Sequence, residues 1–192
     1  MRRLVYYIAT TVDGFIAQED GSLDGFPWDE EYGADLLASF PETFPSHLRG
    51  GVHTRAENRW FDTVLMGRKT YSVGLGEGIT NPYPTLDQYV FSRTMKTSPD
   101  PAVELVSEDA LEVVTELKQG SGKAIWLCGG SDLATTLLAA DLIDELVVKL
   151  NPVVFGIGIP LFGGGVHVKP LKCGHSKVYD SGHAVLHYTL TR

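Results

Sequence analysis

Thr63-Val64-Leu65-Met66-Gly67-Arg68-Lys69-Thr70-Tyr71 is the most telling stretch of the chain. An apolar run with β-branched residues reads as a buried strand. It stops at a glycine, and a helix then opens on two cations and a hydroxyl. Free amides and the positive dipole end make a helix N-terminus a natural seat for an anion. Arg68 and Lys69 would add charge-assisted hydrogen bonds to a phosphate, the arginine with two oxygens at once. A solvated basic turn beside a structural glycine has the same spelling, so the neighbouring segments must decide.

Two other segments repeat the arrangement. The strand Gln88 to Phe91 leads into Ser92-Arg93. In open α/β sheets ligands collect outside the carboxyl ends of strands, so this pair could hold a second phosphate, such as the 2′-phosphate that separates NADPH from NADH. An ordinary surface arginine is the plain alternative. The strand Ala124 to Leu127 runs into Cys128-Gly129-Gly130-Ser131-Asp132-Leu133 and a helix from Asp132 to Ala140. Missing side chains let a ligand approach the backbone, although a tight turn uses the same residues. Neither this segment nor Gly74-x-Gly76-x-Gly78 spells the dinucleotide fingerprint of a conventional Rossmann domain, and no P-loop is present.

Further strands are expected at Leu4 to Ala9, Val103 to Val106 and Glu145 to Leu150, with a helix from Glu108 to Lys118 whose apolar residues recur at helical spacing. Lys177 to Ser181 and Ala184 to Thr191 read as an antiparallel hairpin around Gly182. Alternating strands and helices predict an α/β fold, a mostly parallel mixed sheet with helices on both faces, closed by that hairpin. The expectation is one domain over residues 1–192. Residues 29–60 are irregular: a short helix from Tyr32 to Phe40, then Pro41, Pro45, Gly50 and Gly51, and one more helical turn over 53–60. A lid or substrate loop could sit there.

Composition narrows the partners. The chain has 192 residues, 43% hydrophobic and 21% charged, enough for a proper core without disulfide or metal. Its net charge of −8 repels nucleic-acid phosphates and anionic lipid, so neither is an expected partner. Cys128 and Cys173 lack metal-ligand spacing and read as free buried thiols in a reducing compartment, with a disulfide as the open alternative. The start of the chain has too short an apolar run for a signal peptide, and no stretch reaches membrane-spanning length, so a cytoplasmic protein is expected.

In order and spacing, Met66 to Tyr71, Phe91-Ser92-Arg93 and Cys128-Gly129-Gly130 resemble the cofactor motifs of the dihydrofolate reductase superfamily. Thr11-Val12-Asp13-Gly14-Phe15-Ile16-Ala17, Ile143 to Leu146, Pro152 to Gly156 and Pro160-Leu161-Phe162 resemble one branch of it more narrowly. That branch is typified by the reductase domain of the bifunctional riboflavin-biosynthesis deaminase/reductase. The similarity covers residues 3–28, 62–93 and 123–163, and 29–60 looks like an insertion. The resemblance implies NADPH as cofactor and hydride transfer to a small pteridine- or pyrimidine-like heterocycle. Ala9 and Ile16 would contact the nicotinamide. Gly67, Arg68, Lys69 and Thr70 would hold the pyrophosphate and adenosine phosphates, and Ser92 and Arg93 the 2′-phosphate. Cys128, Gly129, Gly130, Ser131, Asp132 and Leu133 would line the pyrophosphate side. A cis peptide between Gly129 and Gly130 and a homodimer are also implied.

The proton donor is the point of departure. Dihydrofolate reductases carry a buried acid in the helix after a Pro-Trp pair. Pro27-Trp28 is present, but Gly33 stands where the acid belongs. Asp29 is the nearest candidate, beside Glu30, Glu31 and Asp35, all of which could equally be a solvated acidic helix start. Lys149, inside an otherwise apolar strand, is the other: it either faces the cleft or snorkels to the surface. Three readings stay open: a reductase of a small heterocycle, a nucleotide-binding protein that has lost catalysis, and a riboflavin-pathway 5-amino-6-(5-phosphoribosylamino)uracil reductase. The last would need an extra basic pocket, which Arg49, Arg55 and Arg59 could supply. The six histidines show no metal spacing.

Overall fold

A computed structural model describes residues 1–48 and 57–191. The strand β1 (Leu4–Thr11) leads into a short strand, β2 (Phe15–Ala17), and a helix, α1 (Glu30–Ser39). Two 3-10 turns, Pro41–Thr43 and Ser46–Leu48, follow. Then come β3 (Phe61–Gly67), α2 (Arg68–Gly76), β4 (Asp87–Phe91), β5 (Val103–Val106), α3 (Ala110–Gln119), β6 (Ala124–Gly129), α4 (Ser131–Ala139) and β7 (Glu145–Asn151). The chain ends with β8 (Ile159–Pro160), β9 (Leu171–Val178) and β10 (Ala184–Leu190).

Eight strands form one sheet in the order β5-β4-β3-β6-β1-β7-β10-β9. The first six are parallel and β10 is antiparallel to both its neighbours, which is the expected mixed α/β sheet. β1 lies in the middle with both faces covered, and its apolar run has no polar alternation for that reason. One face carries Val5, Tyr7, Val64, Met66, Trp126, Val147 and Val185 against Tyr32, Leu36 and Phe40 from and beside α1, and Tyr71 of α2. The other carries Leu4, Tyr6, Leu65, Ile125, Leu127, Leu146 and Val148 against Val114 of α3 and Leu133, Ala134, Leu137 and Leu138 of α4. Lys118 is 1% exposed at the end of α3. Its ammonium escapes the cost of burial by donating to the Asp144 carboxylate and the Leu142 carbonyl, which ties α3 to the start of β7.

Several boundaries differ from the sequence expectation. α1 starts at Glu30 because Asp29 caps it, accepting from the Tyr32 amide at 2.9 Å. Asp109 caps α3 in the same way. The first hairpin strand ends at Val178 instead of spanning 177–181. Tyr179 to His183 form the turn, with Gly182 at φ 86° and its amide donating to the Tyr179 carbonyl. β2 and β8 were not anticipated; at three and two residues they are too short to show a period. Half of the helical turn expected over 53–60 lies outside the described residues, and 57–60 are irregular. Cys128 is half-buried, but Cys173 is exposed on β9, contrary to expectation; both thiols are free. Among the described residues no helix is long and apolar enough to cross a membrane.

Candidate active site

The three sequence segments end on one edge of the sheet. Gly67 of β3 is in register with Phe91 of β4, and Met66 with Gly129 of β6, so the residues that follow each strand emerge side by side. Arg68 and Lys69 open α2 and are exposed, as is Arg93. α2 and α4 begin behind glycines, Gly67 and Gly130, with no side chain capping their first amides. Two of these glycines leave little space for a side chain. A Cβ on Gly67 would lie 3.2 Å from the Gly130 nitrogen, and one on Gly129, at φ 149°, would lie 3.2 Å from the Thr70 hydroxyl. The Gly129-Gly130 peptide is cis, as the resemblance implied. Beside it, the Ser131 hydroxyl is buried without a hydrogen-bond partner, Leu133 is buried and Asp132 is exposed.

A recess of about 480 Å³ continues this edge, lined by Arg93, Met95, Lys96, Thr97, Ser98, Leu105 and Ser107. Ser92 shapes its entrance from within. Its buried hydroxyl oxygen accepts from the Thr94 and Met95 amides at 3.2 and 2.9 Å, turning the chain so that Arg93 faces outward. The hydroxyl proton remains available to donate.

The second half of the edge lies at the ends of β1 and β7. Ala9 and Lys149 are in register. Lys149 does not reach for the surface: it is half-buried, with its Nζ 4.2 Å from the centre of the Tyr7 ring. No carboxylate among the described residues pairs with it. Desolvation pulls its pKa down to about 8, opposed only by the neighbouring Cys128 thiol. Burial pushes that thiol up to about 11, so it stays protonated at neutral pH. Asn151, buried at the end of β7, donates to the Thr10 and Lys149 carbonyls and fixes the strand ends against each other.

α1 overhangs this spot. Tyr32 packs edge-on against Trp28 and Tyr179 and stacks on His183 at 4.3 Å. His183 is buried between the Pro27 carbonyl and the Ser181 hydroxyl, so its Nε2 must be the donor to Pro27. Asp35 accepts from Tyr179 and Lys177 at 2.6 and 2.7 Å, and these bonds lower its pKa. Asp29 is committed to its cap. At Gly33 the reason for the missing acid is visible: the Trp28 indole occupies the place of a side chain, with a ring carbon 2.1 Å from where a Cβ would sit.

A clasp that sequence reasoning missed closes the front. Asp13 accepts from the Thr11 hydroxyl and from the Phe155 and Gly156 amides, at 2.5, 3.2 and 2.7 Å. These bonds, the Thr11 hydroxyl foremost, lower its pKa although it is exposed. β2 pairs with β8 just beyond it, and Ile16 is buried there. The Thr-x-Asp-Gly spelling was the available signal, since an aspartate before a glycine commonly caps a turn. Arg59 donates to the Ala38 carbonyl, while Arg49 and Arg55 lie outside the described residues. Among the described residues no cluster of His, Cys, Asp and Glu could hold a metal.

With this geometry the chain was compared with known proteins. Over 188 residues it is 34% identical to the uncharacterized protein YwjB of Bacillus subtilis (strain 168), covering 97% of both chains. A putative riboflavin biosynthesis protein from Shewanella sp. PV-4 superposes with a TM-score of 0.73 at 25% identity, covering both chains completely. Dihydrofolate reductase from Enterococcus faecalis, complexed with NADP(H) and RAB-propyl, superposes at 0.65 over 99% of this chain and 97% of that one; at 16% identity it shows the fold alone. Residues 2–185 match one family throughout. The chain belongs to the family of the RibD C-terminal domain.

Proposed function

We propose that the chain is a reductase that uses NADPH to reduce a small pteridine- or pyrimidine-like heterocycle. The observation that carries this reading is the convergence of two uncapped helix N-termini, two glycines with little room for a Cβ and an orphaned Ser131 hydroxyl on one edge. The donors of such an edge suit a polyanion, and a pyrophosphate has the charge and oxygens to meet them. Gly67, Arg68, Lys69 and Thr70 would take one side of it, and Cys128 to Leu133 the other. Ser92 and Arg93, with Lys96 in the recess beyond, would receive the adenosine end and its 2′-phosphate. Ala9 and Ile16 would meet the nicotinamide, which supplies a hydride when bound.

The chain's own chemistry is the proton. Lys149, with a pKa near 8, is mostly charged at neutral pH and can give its proton to a heteroatom of the acceptor. Tyr7 steadies the cation without neutralising it, as a carboxylate would. Asp29 fits less well, because a proton on its carboxyl would weaken the helix cap.

A binding protein without catalysis is the second reading, favoured by the filled position at Gly33. Titration with NADPH and NADH, followed by a screen for NADPH oxidation with pterin, flavin-precursor and quinone-like acceptors, separates the two. The reductase reading expects NADPH to bind more tightly than NADH and at least one acceptor to raise turnover well above background. Equal affinity for the two nucleotides removes the 2′-phosphate assignment, and binding with no turnover favours the second reading.

A further inference from the structure

We infer that His187 is an acid-sensitive latch: neutral, it lets the end of α1 pack on the C-terminal hairpin, and on taking a proton it makes that end lift. The latch belongs to the fold and stands whether or not the chain is a reductase.

His187 is half-buried in β10 and lies directly across from His175 of the edge strand β9. The two rings meet edge to face with centres 5.7 Å apart, and His175 is exposed. What covers His187 is Phe40, the residue that ends α1, stacked on it at 6.1 Å. Phe40 is itself buried, packed on Tyr7 at 4.6 Å and on Trp60 at 5.6 Å. Lys149 lies over the same Tyr7 ring, so the latch stands two aromatic rings away from that ammonium. A cavity of about 60 Å³ between α1 and the hairpin is lined by Asp35, Ser39, Phe40, His175, Lys177 and His187, with Tyr179 at its side.

A proton on His187 finds no free carboxylate among the described residues around it. Asp35 of α1 faces the cavity but is held by Lys177 of β9 and the Tyr179 hydroxyl. Glu145 of β7 attracts the proton from a distance, yet it is paired with Arg3. The carbonyl end of a helix favours a cation, but at α1 Arg59 already fills that place by donating to the Ala38 carbonyl. At 6.1 Å the Phe40 ring is too far for cation–π attraction to make up the difference. Burial first, and His175 second, therefore hold the His187 pKa below its ordinary value of 6.5. Between the lowered value and 6.5 the unfolded chain binds more protons, so packing over His187 loses stability as pH falls through that window.

The strain has one way out. His175 can turn into water, but His187 regains hydration only if Phe40 lifts from it. The bonds that close α1, from the Phe40 amide to the Leu36 carbonyl and from the Thr43 amide to the Phe40 carbonyl, then open. The opening stays local, because Glu42 accepts from the Trp60 and Phe61 amides and keeps the following turn on the start of β3.

Hydrogen exchange of the full chain, followed amide by amide by NMR and corrected for intrinsic rates, tests the latch at about pH 7.5 and about pH 5.5. The Asp35 pKa is lowered, so its bond to Lys177 persists at the acid end. Protection of the Phe40 and Thr43 amides should fall several-fold between the two conditions, while Ile125 and Leu127 in β6 keep theirs. The imidazole signals of His187 should titrate with a midpoint below 6.5. His187→Gln, which carries no charge at either pH, should abolish the difference, and His187→Leu repeats the comparison if the glutamine variant fails to fold by circular dichroism. Protection that is equal at both pH values overturns the inference, as does a midpoint at or above 6.5. A loss that survives in the uncharged variant overturns it too, by assigning the acid response to another group such as the buried His183.

Discussion

Along the ends of β4, β3 and β6 the candidate site is made of main chain with the polar side chains next to it in sequence, whereas at the ends of β1 and β7 it is made of side chains from distant segments. The first region is three short contiguous segments, each a strand stopping at its own turn. Its donors are backbone amides flanked by Arg68, Lys69 and Arg93, and its glycines keep those amides reachable. The second region is Tyr7, Trp28, Gly33 and Lys149, drawn from four separate places in the sequence and joined only by packing. A phosphate looks the same on every dinucleotide, so a backbone cradle serves without variation. An acceptor ring differs from protein to protein, and side chains are what can change to suit it.

The comparison breaks most visibly at Lys149. If the two regions divide binding from proton supply, Lys149→Met lowers kcat by about 10²- to 10⁴-fold while NADPH affinity is retained. Steady-state kinetics with a parallel NADPH titration checks this, and a matching loss of affinity would mean that the regions are not separate. Next in size is Arg93→Ala. Removing one charge-assisted contact with a phosphate costs about 1.5–3 kcal/mol, or roughly 10- to 100-fold in NADPH affinity. Affinity for NADH should stay unchanged, because NADH has no 2′-phosphate to lose.

The pH dependence sharpens the same division. Lys149 donates only while protonated, so turnover should be full well below pH 8 and fall as pH rises through about 8. Its effect on stability runs the other way. The folded pKa lies below that of the unfolded chain, so between about 8 and the ordinary lysine value the unfolded chain binds more protons. Folding is stabilised as pH rises through that window. A kcat profile that rises above pH 8 would exclude Lys149 as the acid. NADPH binding at the opposite region should cross the same window without a break.

Legibility in the sequence follows this division too. The Met66-to-Tyr71 stretch showed its strand, its stop and its cations because all of them are local. β5 was placed to the residue. Lys149 stood out as a charge inside an apolar strand, but its position over Tyr7 depends on β1 and β7 pairing in register, which no local pattern records. Gly33 was visible as a missing acid. That an indole five positions earlier fills the gap needed the folded turn before α1. The Asp29 cap and the Asp13 clasp were written in ordinary turn chemistry, yet Asp29 read equally well as an acid, because a carboxylate that caps and one that donates are the same residue type.

The smallest expected effect tests whether the front of the acceptor region is held by that clasp alone. Asp13→Asn keeps one acceptor oxygen but loses the charge that strengthens its bonds to the Phe155 and Gly156 amides. Both amides should exchange with solvent several-fold faster, while amides in β3, β4 and β6 keep their protection. Thermal stability of the whole chain should scarcely move, because Asp13 is exposed and the pairing of β2 with β8 persists beside it. KM for the acceptor should rise more than kcat falls, since the clasp shapes the entrance and touches no proton. If exchange instead quickens along the Gly129 to Leu133 segment as well, the two regions are mechanically one, and the division between a fixed cradle and an adjustable wall is wrong.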